Sequence, residues 1–294
     1  MRVLTSEKIQ MNASENIHPK RKRRRALSDV GVWVASVIVF IFILCALLPG
    51  WIAPYGPTEL FQDRTLQSPS LSHWMGTDHY GRDVLTMVIH GARDSLVIGF
   101  AAVAIGLFAG GLVGAIAGYA GGVIEGVLMR LIDILMAIPG VLLALVIALA
   151  LGPSLQNLIL AIAIAAIPGY ARVIRGQVKS TKQRPYITAS RAIGLNPIRT
   201  FKRHIMPNVY APILVMATVG VGSSLLVGAG LSFLGLGVIK EIPDWGTLLS
   251  QGRNYLTVAW WTVTFPGLAI TLFVLSINIV GDYLRDRLDP RRSI

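Results

Sequence analysis

Residues 134–171, ILMAIPGVLLALVIALALGPSLQNLILAIAIAAIPGYA, run from Ile134 to Ala171 without one charged side chain. A spanning helix needs about 20 mostly apolar residues, so the run is long enough for two. Gly152-Pro153-Ser154-Leu155-Gln156-Asn157 supplies the turn between them. Outward from this stretch, charges are equally absent between Asp29 and Glu59, from Ser95 to Ile124, from His204 to Ile239 and from Asn254 to Gly281. The expected fold is an all-α polytopic membrane protein of six transmembrane helices. They are placed near Val30–Leu48, Leu96–Ala120, Leu131–Leu151, Leu155–Val173, Val209–Leu236 and Ala259–Tyr283.

Composition agrees. The 294 residues are 53% hydrophobic and 14% charged, with a mean hydropathy of +0.62. Soluble domains carry roughly 25% charged residues, so too little polar surface exists here to wrap an ordinary water-soluble domain. The first apolar run is too long for a signal-peptide core, and Pro49-Gly50-Trp51 after it is no small-residue cleavage site, so it reads as a retained anchor.

Lysine and arginine near helix ends are held on the cytoplasmic side. With both termini inside, all but five of the 27 Lys and Arg residues fall there, the exceptions being Arg64, Arg82, Arg93, Lys240 and Arg253. The organisation that follows is a basic cytoplasmic tail (1–29), a first span (30–49) and an extracytoplasmic segment (50–94). A five-helix core (95–285) with an inside loop (172–208) comes next, then a cytoplasmic tail (286–294). The net charge of +12 and the run Lys20-Arg21-Lys22-Arg23-Arg24-Arg25 resemble a nucleic-acid patch in isolation. Placed just ahead of a span, the run reads as a topology determinant on anionic lipid, and no nucleic-acid partner is expected. The single cysteine, Cys45, allows no disulfide within the chain and is read as a small core residue.

Three polar stretches remain. In the outside segment, Gly76-Thr77-Asp78-His79-Tyr80-Gly81-Arg82-Asp83 combines turn formers with acids and reads as a capped start to the second span. His73, His79 and His90 lie near Asp78 and Asp83 in sequence, but without tight ligand spacing, and no metal site is assigned. The inside loop from Arg172 to Asn208 holds nine basic residues and no acidic one. Its Thr188–Ile193 segment suits a short helix, Gly194 a C-terminal cap, and Asn196-Pro197 a break before a second short helix stopped at Pro207. Small residues Ala189, Ser190 and Ala192 would let another protein approach closely, with Tyr186 and Ile187 as anchors, so the loop reads as a docking element. Near the C-terminus, Asp282, Arg285, Asp286 and Asp289 are spaced to pair along one helical face. Within the spans, Arg130 and Asp133 are expected to pair with each other or with headgroups. Gly106, Gly110, Gly114 and Gly118 form a small-xxx-small stripe on the second span, and glycines recur on the fifth.

There is no GxxxxGK[ST] phosphate loop, no HExxH helix and no Ser/His/Asp set at an aqueous face. A pore without a nucleotide site, and with a basic helix-turn-helix loop, suggests a channel driven by a separate motor. That loop resembles the EAA loop of membrane subunits of binding-protein-dependent ABC importers. The pattern Glu-Ala-Ala, Gly, Pro falls here on Thr188-Ala189-Ser190, Gly194 and Pro207, with Thr188 in place of the acid and Ser190 in place of the second Ala. Further likeness comes from Gly76–Asp83, Leu231-Ser232-Phe233-Leu234-Gly235-Leu236-Gly237, Asp244-Trp245-Gly246, and Gly281 to Pro290. Together they look like the second permease subunit of the dipeptide, oligopeptide and nickel branch.

The resemblance implies a type I importer permease fold in the bacterial inner membrane, and a non-catalytic subunit that binds no cofactor itself. It implies four kinds of association: a second homologous permease, two cytoplasmic ATPases using ATP and Mg, an extracytoplasmic binding protein, and the lipid bilayer. Tyr186, Ile187, Thr188, Ala189, Ser190, Arg191, Ala192, Gly194, His204 and Pro207 would form the ATPase-coupling loop. Gly76, Thr77, Asp78, Gly81, Arg82 and Asp83 would form the extracytoplasmic motif, and Gly281, Asp282, Arg285, Asp289 and Pro290 the C-terminal one. Peptides are the leading substrate, with nickel or a metal chelate second. A gradient-driven secondary transporter is the competing class. It expects ionisable groups at the membrane midplane, and Ser223, Ser224 and Asn278 are poor substitutes.

Overall fold

The computed structural model describes residues 18–238 and 240–288. Eleven α-helices occur among them: α1 (His18–Leu47), α2 (Pro49–Ile52), α3 (Val84–Ala120), α4 (Gly122–Met136), α5 (Gly140–Leu151), α6 (Leu155–Lys182), α7 (Pro185–Ala192), α8 (Pro197–Thr200), α9 (Met206–Leu231), α10 (Trp245–Gly252) and α11 (Trp261–Leu288). No strand is present among the described residues, only an isolated antiparallel bridge between Thr77 and Asp83. Five helices are long and apolar enough to cross a membrane, and α4 with α5 makes a sixth crossing if the bent pair counts as one.

Several boundaries differ from the sequence reading. Helix α1 begins at His18, so much of the expected tail is helical, while residues 1–17 lie outside the described part. Helix α3 begins at Val84 rather than near Leu96. Asp83 caps it, its carboxylate accepting the Thr86 N–H at 2.8 Å and the Thr86 hydroxyl at 2.9 Å. The expected third span is not continuous, since α4 and α5 meet at 84° across Ala137-Ile138-Pro139. Proline lacks an N–H and disfavours helix at the residue before it, which ends α4.

Pro168 sits inside α6 without breaking it, and the packing explains the contrast. Gly106, Gly110, Gly114 and Gly118 on α3 face the backbone carbonyls of Ala163, Ile167, Ala171 and Arg175 on α6. Both series advance by four residues, so two helix surfaces interlock along their length on either side of Pro168. A methyl added at Gly110 would come within 2.6 Å of the Ile167 oxygen, and one at Gly118 within 2.8 Å of the Arg175 oxygen. No such clamp flanks Pro139. On α5, Val141, Leu142, Val146 and Leu149 are all exposed.

Around this pair the bundle closes with α9, α11 and α1. The short helix α10 plugs into it through Trp245, which is fully buried. The Trp245 indole N–H donates to the Val88 carbonyl at 2.8 Å, its backbone N–H donates to Ser95 Oγ at 3.0 Å, and Phe42 meets the ring edge-on at 5.2 Å. Asp244 caps α10, which explains the Asp-Trp-Gly signature: a cap, an anchor, and a glycine, Gly246, pressed against the Ala229 backbone. Cys45 lies in the same core. Elsewhere large apolar side chains such as Phe108, Leu112 and Ile134 stay exposed, as a surface solvated by lipid requires.

Candidate functional site

The basic loop is an ordered structure rather than a solvated strap. Helix α6 continues to Lys182, past the expected end at Val173, and α7 follows after a two-residue turn. Ile187 is fully buried and packs with Ile174, Val178, Ile205 and Val209, drawing α7 onto the ends of α6 and α9. The Ser190 hydroxyl donates back to the Tyr186 and Ile187 carbonyls at 3.0 and 2.9 Å. Gly194 closes α7 with φ of +82°, and the Leu195 N–H reaches the Ser190 carbonyl at 3.2 Å, the six-to-one bond of a Schellman ending. Asn196 then caps α8, accepting from the Ile198 N–H at 2.9 Å, with Pro197 at the first helical position.

Pro207 does not stop a helix. Residues Phe201–Ile205 form a wide π turn that leads directly into α9, and the Met206 N–H bonds the Phe201 carbonyl. That widened turn shifts the hydrogen-bond register just where the proline, in the first turn of α9, has no donor to offer.

Further contacts brace the loop, and all but the bond from Asn208 to His204 join residues too far apart for sequence spacing to signal. The Tyr119 hydroxyl at the end of α3 donates to the Pro197 carbonyl at 2.9 Å, and Lys182 Nζ donates to the Tyr119 carbonyl at 2.5 Å. Phe201 meets the Tyr119 ring edge-on at 5.5 Å. Arg184 donates to Asn208 Oδ1 at 3.0 Å, while Asn208 Nδ2 donates to the Tyr186 hydroxyl at 3.2 Å and the His204 carbonyl at 2.7 Å.

The anchors therefore divide in two. Ile187 and Ser190 face inward, so neither can meet another protein as expected from the sequence. Tyr186, Thr188 and Ala189 are exposed, and beyond them Ile193 and Ile198, at 79% and 67% exposure, are the apolar side chains offered outward. His204 is half-buried beside Tyr186. Arg191 and Ala192 have helical backbone, and their side chains lie outside the described set.

The segment from Gly76 to Asp83 is turned inward except at Tyr80, which is exposed, and His79, which is half-buried. Gly76 and Gly81 are buried, with positive φ. The Thr77 hydroxyl donates to the Arg64 carbonyl and accepts from the Gln67 N–H, and the Thr77 carbonyl accepts from the Trp261 indole at 3.0 Å. Asp78 accepts from Arg82 Nε at 2.6 Å and from the Tyr80 and Arg82 N–H groups, both at 2.9 Å. Arg82 reaches on to the Glu241 carbonyl at 3.2 Å and Gln251 Oε1 at 3.0 Å. His73 Nδ1 lies 3.0 Å from Asp83. These residues staple the long segment before α3 to the α9–α10 connection and to α11. His79 stacks on Tyr255 at 4.8 Å, and burial lowers its pKa below 6.5. No group of three or more potential metal ligands exists among the described residues.

At the C-terminus Gly281 is buried against Thr218, with Asp282 and Arg285 in the last turns of α11. Among the described residues no ion pair joins those two. Instead Arg287 Nε donates to the Tyr283 hydroxyl at 3.0 Å. Asp289 and Pro290 lie outside the described residues. The expected Arg130–Asp133 pair is replaced: Asp133 binds Arg172 at 2.6 Å, and Glu125 binds Arg175 and, at 2.8 Å, Lys179.

The family model of the binding-protein-dependent transport system inner membrane component matches residues 110–294. The di/tripeptide transport system permease protein DppC of Pseudomonas aeruginosa is 44% identical over 261 residues, covering 87% of this chain and 86% of that one. The dipeptide transport system permease protein DppC of Escherichia coli K12 is 44% identical over 267 residues, 89% of each. Among solved structures, an amino acid ABC transporter matches with a TM-score of 0.56 at 18% identity, over 69% of this chain and 94% of that one. The methionine ABC transporter MetNI in an inward-facing form matches with a TM-score of 0.55 at 18% identity, over 69% and 96%. These two likenesses establish the fold.

Proposed function

Because the chain belongs to the family of binding-protein-dependent transport system inner membrane components, we propose that it is a permease subunit of an ATP-driven importer of di- and tripeptides. The names of its relatives, permeases of peptide systems at 44% identity, support the substrate class. A second, homologous permease completes the pore. Two ATPase subunits bind and hydrolyse MgATP, and a binding protein delivers peptide on the side of the 50–83 segment.

The observation that carries this reading is the bracing of α7. A force applied at its exposed face, Thr188 and Ala189, passes through Ile187 into Val178 of α6 and Val209 of α9, and through Pro197 into Tyr119 of α3. One small helix thus addresses three spans. Well-packed interiors transmit displacement with little give, so movement of an ATPase seated on α7 shifts the spans together. The ligand that drives this, ATP, acts only by binding the two states differently, so the α7 contact must differ between inward-facing and outward-facing forms.

The test is uptake by proteoliposomes holding the two permeases and both ATPases, with loaded binding protein outside and ATP inside. Dipeptide accumulation that needs ATP and the binding protein is expected. Uptake driven by an ion gradient without ATP would overturn the reading.

A further inference from the structure

Where α4 lies along α6, the two helices share a face that is neither packed nor apolar. On α4, Gly126, Arg130 and Asp133 follow one another at steps of four and three residues, so they stand on one side of the helix, and all three are exposed. On α6, Gly169, Arg172 and Gly176 do the same. A methyl added at any of the three glycines would meet nothing within 4 Å, so the space over this face is open. The lipid-like side of α4 is a different one, where Val127, Leu131 and Ile134 are exposed. Asp133 and Arg172 pair at 2.6 Å across the shared face. Arg130, one turn from Asp133, has no ion pair among the described residues.

We infer that Arg130, Asp133 and Arg172 form an exit subsite that receives the charged termini of a peptide at the cytoplasmic mouth of the pore. The inference deepens the peptide-importer reading above and rests on it. Arg172 directly follows Ala171, the end of the uncharged run, which puts the pair at the inner edge of the hydrocarbon layer. Charges at that depth turn to protein or to a water-filled cavity, and a face of glycine and charge gives lipid tails nothing to pack against. A headgroup phosphate is opposed by Asp133, whereas a zwitterion is matched by all three side chains. Its ammonium replaces Arg172 at Asp133, and the released Arg172, with Arg130, takes its carboxylate in the planar geometry that guanidinium groups favour. An extended dipeptide spans about 7 Å and a tripeptide about 10 Å, so both termini reach one cluster. The exchange is easy on two counts. An exposed pair contributes little net stability. Helix α4 also has one buried residue and is bounded by Gly121 and Gly122, both with positive φ, and by the 84° elbow, so it can yield without repacking a core.

The test uses the complete complex, two permeases with both ATPases, in nanodiscs without nucleotide. It is labelled by alanyl-photoleucine, a dipeptide carrying a diazirine, and the labelled positions are mapped by mass spectrometry. Labelling is expected within residues 126–137 and 169–176. Free alanylalanine should compete, and N-acetyl-alanylalanine amide, which lacks both charges, should compete about tenfold more weakly. Asp133→Asn/Arg172→Gln should lose labelling about tenfold, and Arg130→Gln, which breaks no ion pair, should fall between it and the wild type. Recovery of the second permease and both ATPases with the chain reports that each variant is assembled. Unchanged labelling in the assembled variants, equal competition by the blocked peptide, or labelling confined to other positions would overturn the inference. Loss of co-purified phosphatidylglycerol in the variants, with no peptide labelling in the wild type, would overturn it in favour of a lipid contact. Dipeptide uptake by the same complex in proteoliposomes keeps the two readings apart: uptake without labelling at these helices overturns the subsite alone, and no uptake with ATP and loaded binding protein refutes the importer reading on which it rests.

Discussion

Arg172 on α6 lies 2.6 Å from the carboxylate of Asp133 on α4, joining two helices through residues 39 positions apart in sequence. With Glu125 bound by Arg175 and Lys179, this clips α4 lengthwise onto α6 just before the chain turns through 84° into α5. The clip is placed where α4 has few apolar contacts of its own, since Ile132 is its one buried residue.

Arg172 and Asp133 are 49% and 60% exposed, so their bond positions α4 more than it stabilises the fold. Exposed pairs contribute about 0–1 kcal/mol. Asp133→Asn is expected to move the thermal midpoint in detergent by no more than a few degrees. A much larger drop would show that the elbow carries stability.

Gly110 is different in kind, because its missing side chain is what allows α3 to touch α6. A Cβ there would meet the Ile167 oxygen at 2.6 Å and Tyr170 Cβ at 2.9 Å, both on a backbone locked by neighbouring contacts. Gly110→Val should cost about 1–3 kcal/mol or more through overpacking. It should lower the thermal midpoint and the yield of folded chain in the membrane, while Gly126→Val, with open space around it, should do neither.

At Gly194 the constraint is conformational alone. A methyl added there would meet nothing within 4 Å, yet φ is +82°. Gly194→Asn, which tolerates this region, should preserve ATP-dependent uptake, and Gly194→Ala should cost about 1–2 kcal/mol locally. Gly194→Pro, which cannot adopt the angle, should abolish uptake while the chain still inserts. Ala189→Asp, on the exposed face, should do the same without altering the fold. Peptide uptake and membrane recovery measured side by side separate these outcomes.

Asp83 serves two elements, capping α3 through Thr86 and receiving His73. Asp83→Ala should therefore cost more than an ordinary cap, about 2 kcal/mol or above, because it also strands a buried imidazole. Asp83→Asn can still accept from Thr86 and should cost less. Thermal unfolding of the two variants beside the wild type tests the order.

His79 predicts a pH dependence. Burial lowers its folded pKa below 6.5, so between the two values the unfolded chain binds more protons and stability rises with pH. The contribution is fully present above 6.5 and is lost as pH falls through the lowered folded value. His79→Gln should flatten the fall in thermal midpoint on mild acidification, and an unchanged slope would assign the effect elsewhere.

The membrane-spanning helical class, the number of apolar runs and the chemistry of the loop ends are all legible along the chain. These follow from one-dimensional quantities: charge-free length against bilayer thickness, and the fixed angles of glycine and proline. Gly194 and Asn196-Pro197 are readable because their roles are settled within a few residues of chain. What proline does inside a long helix is not, because it depends on neighbours far away. Pro168 is held straight by the glycine stripe of α3, Pro139 is released to bend, and Pro207 is absorbed by a π turn. The facing of Ile187 is likewise open until Val178 and Val209 meet it, since an apolar residue on an eight-residue helix satisfies either its own bundle or a partner. Ion pairing follows the same rule: Arg130 is the nearer partner of Asp133 along the chain, and Arg172 is the one that packing brings to it.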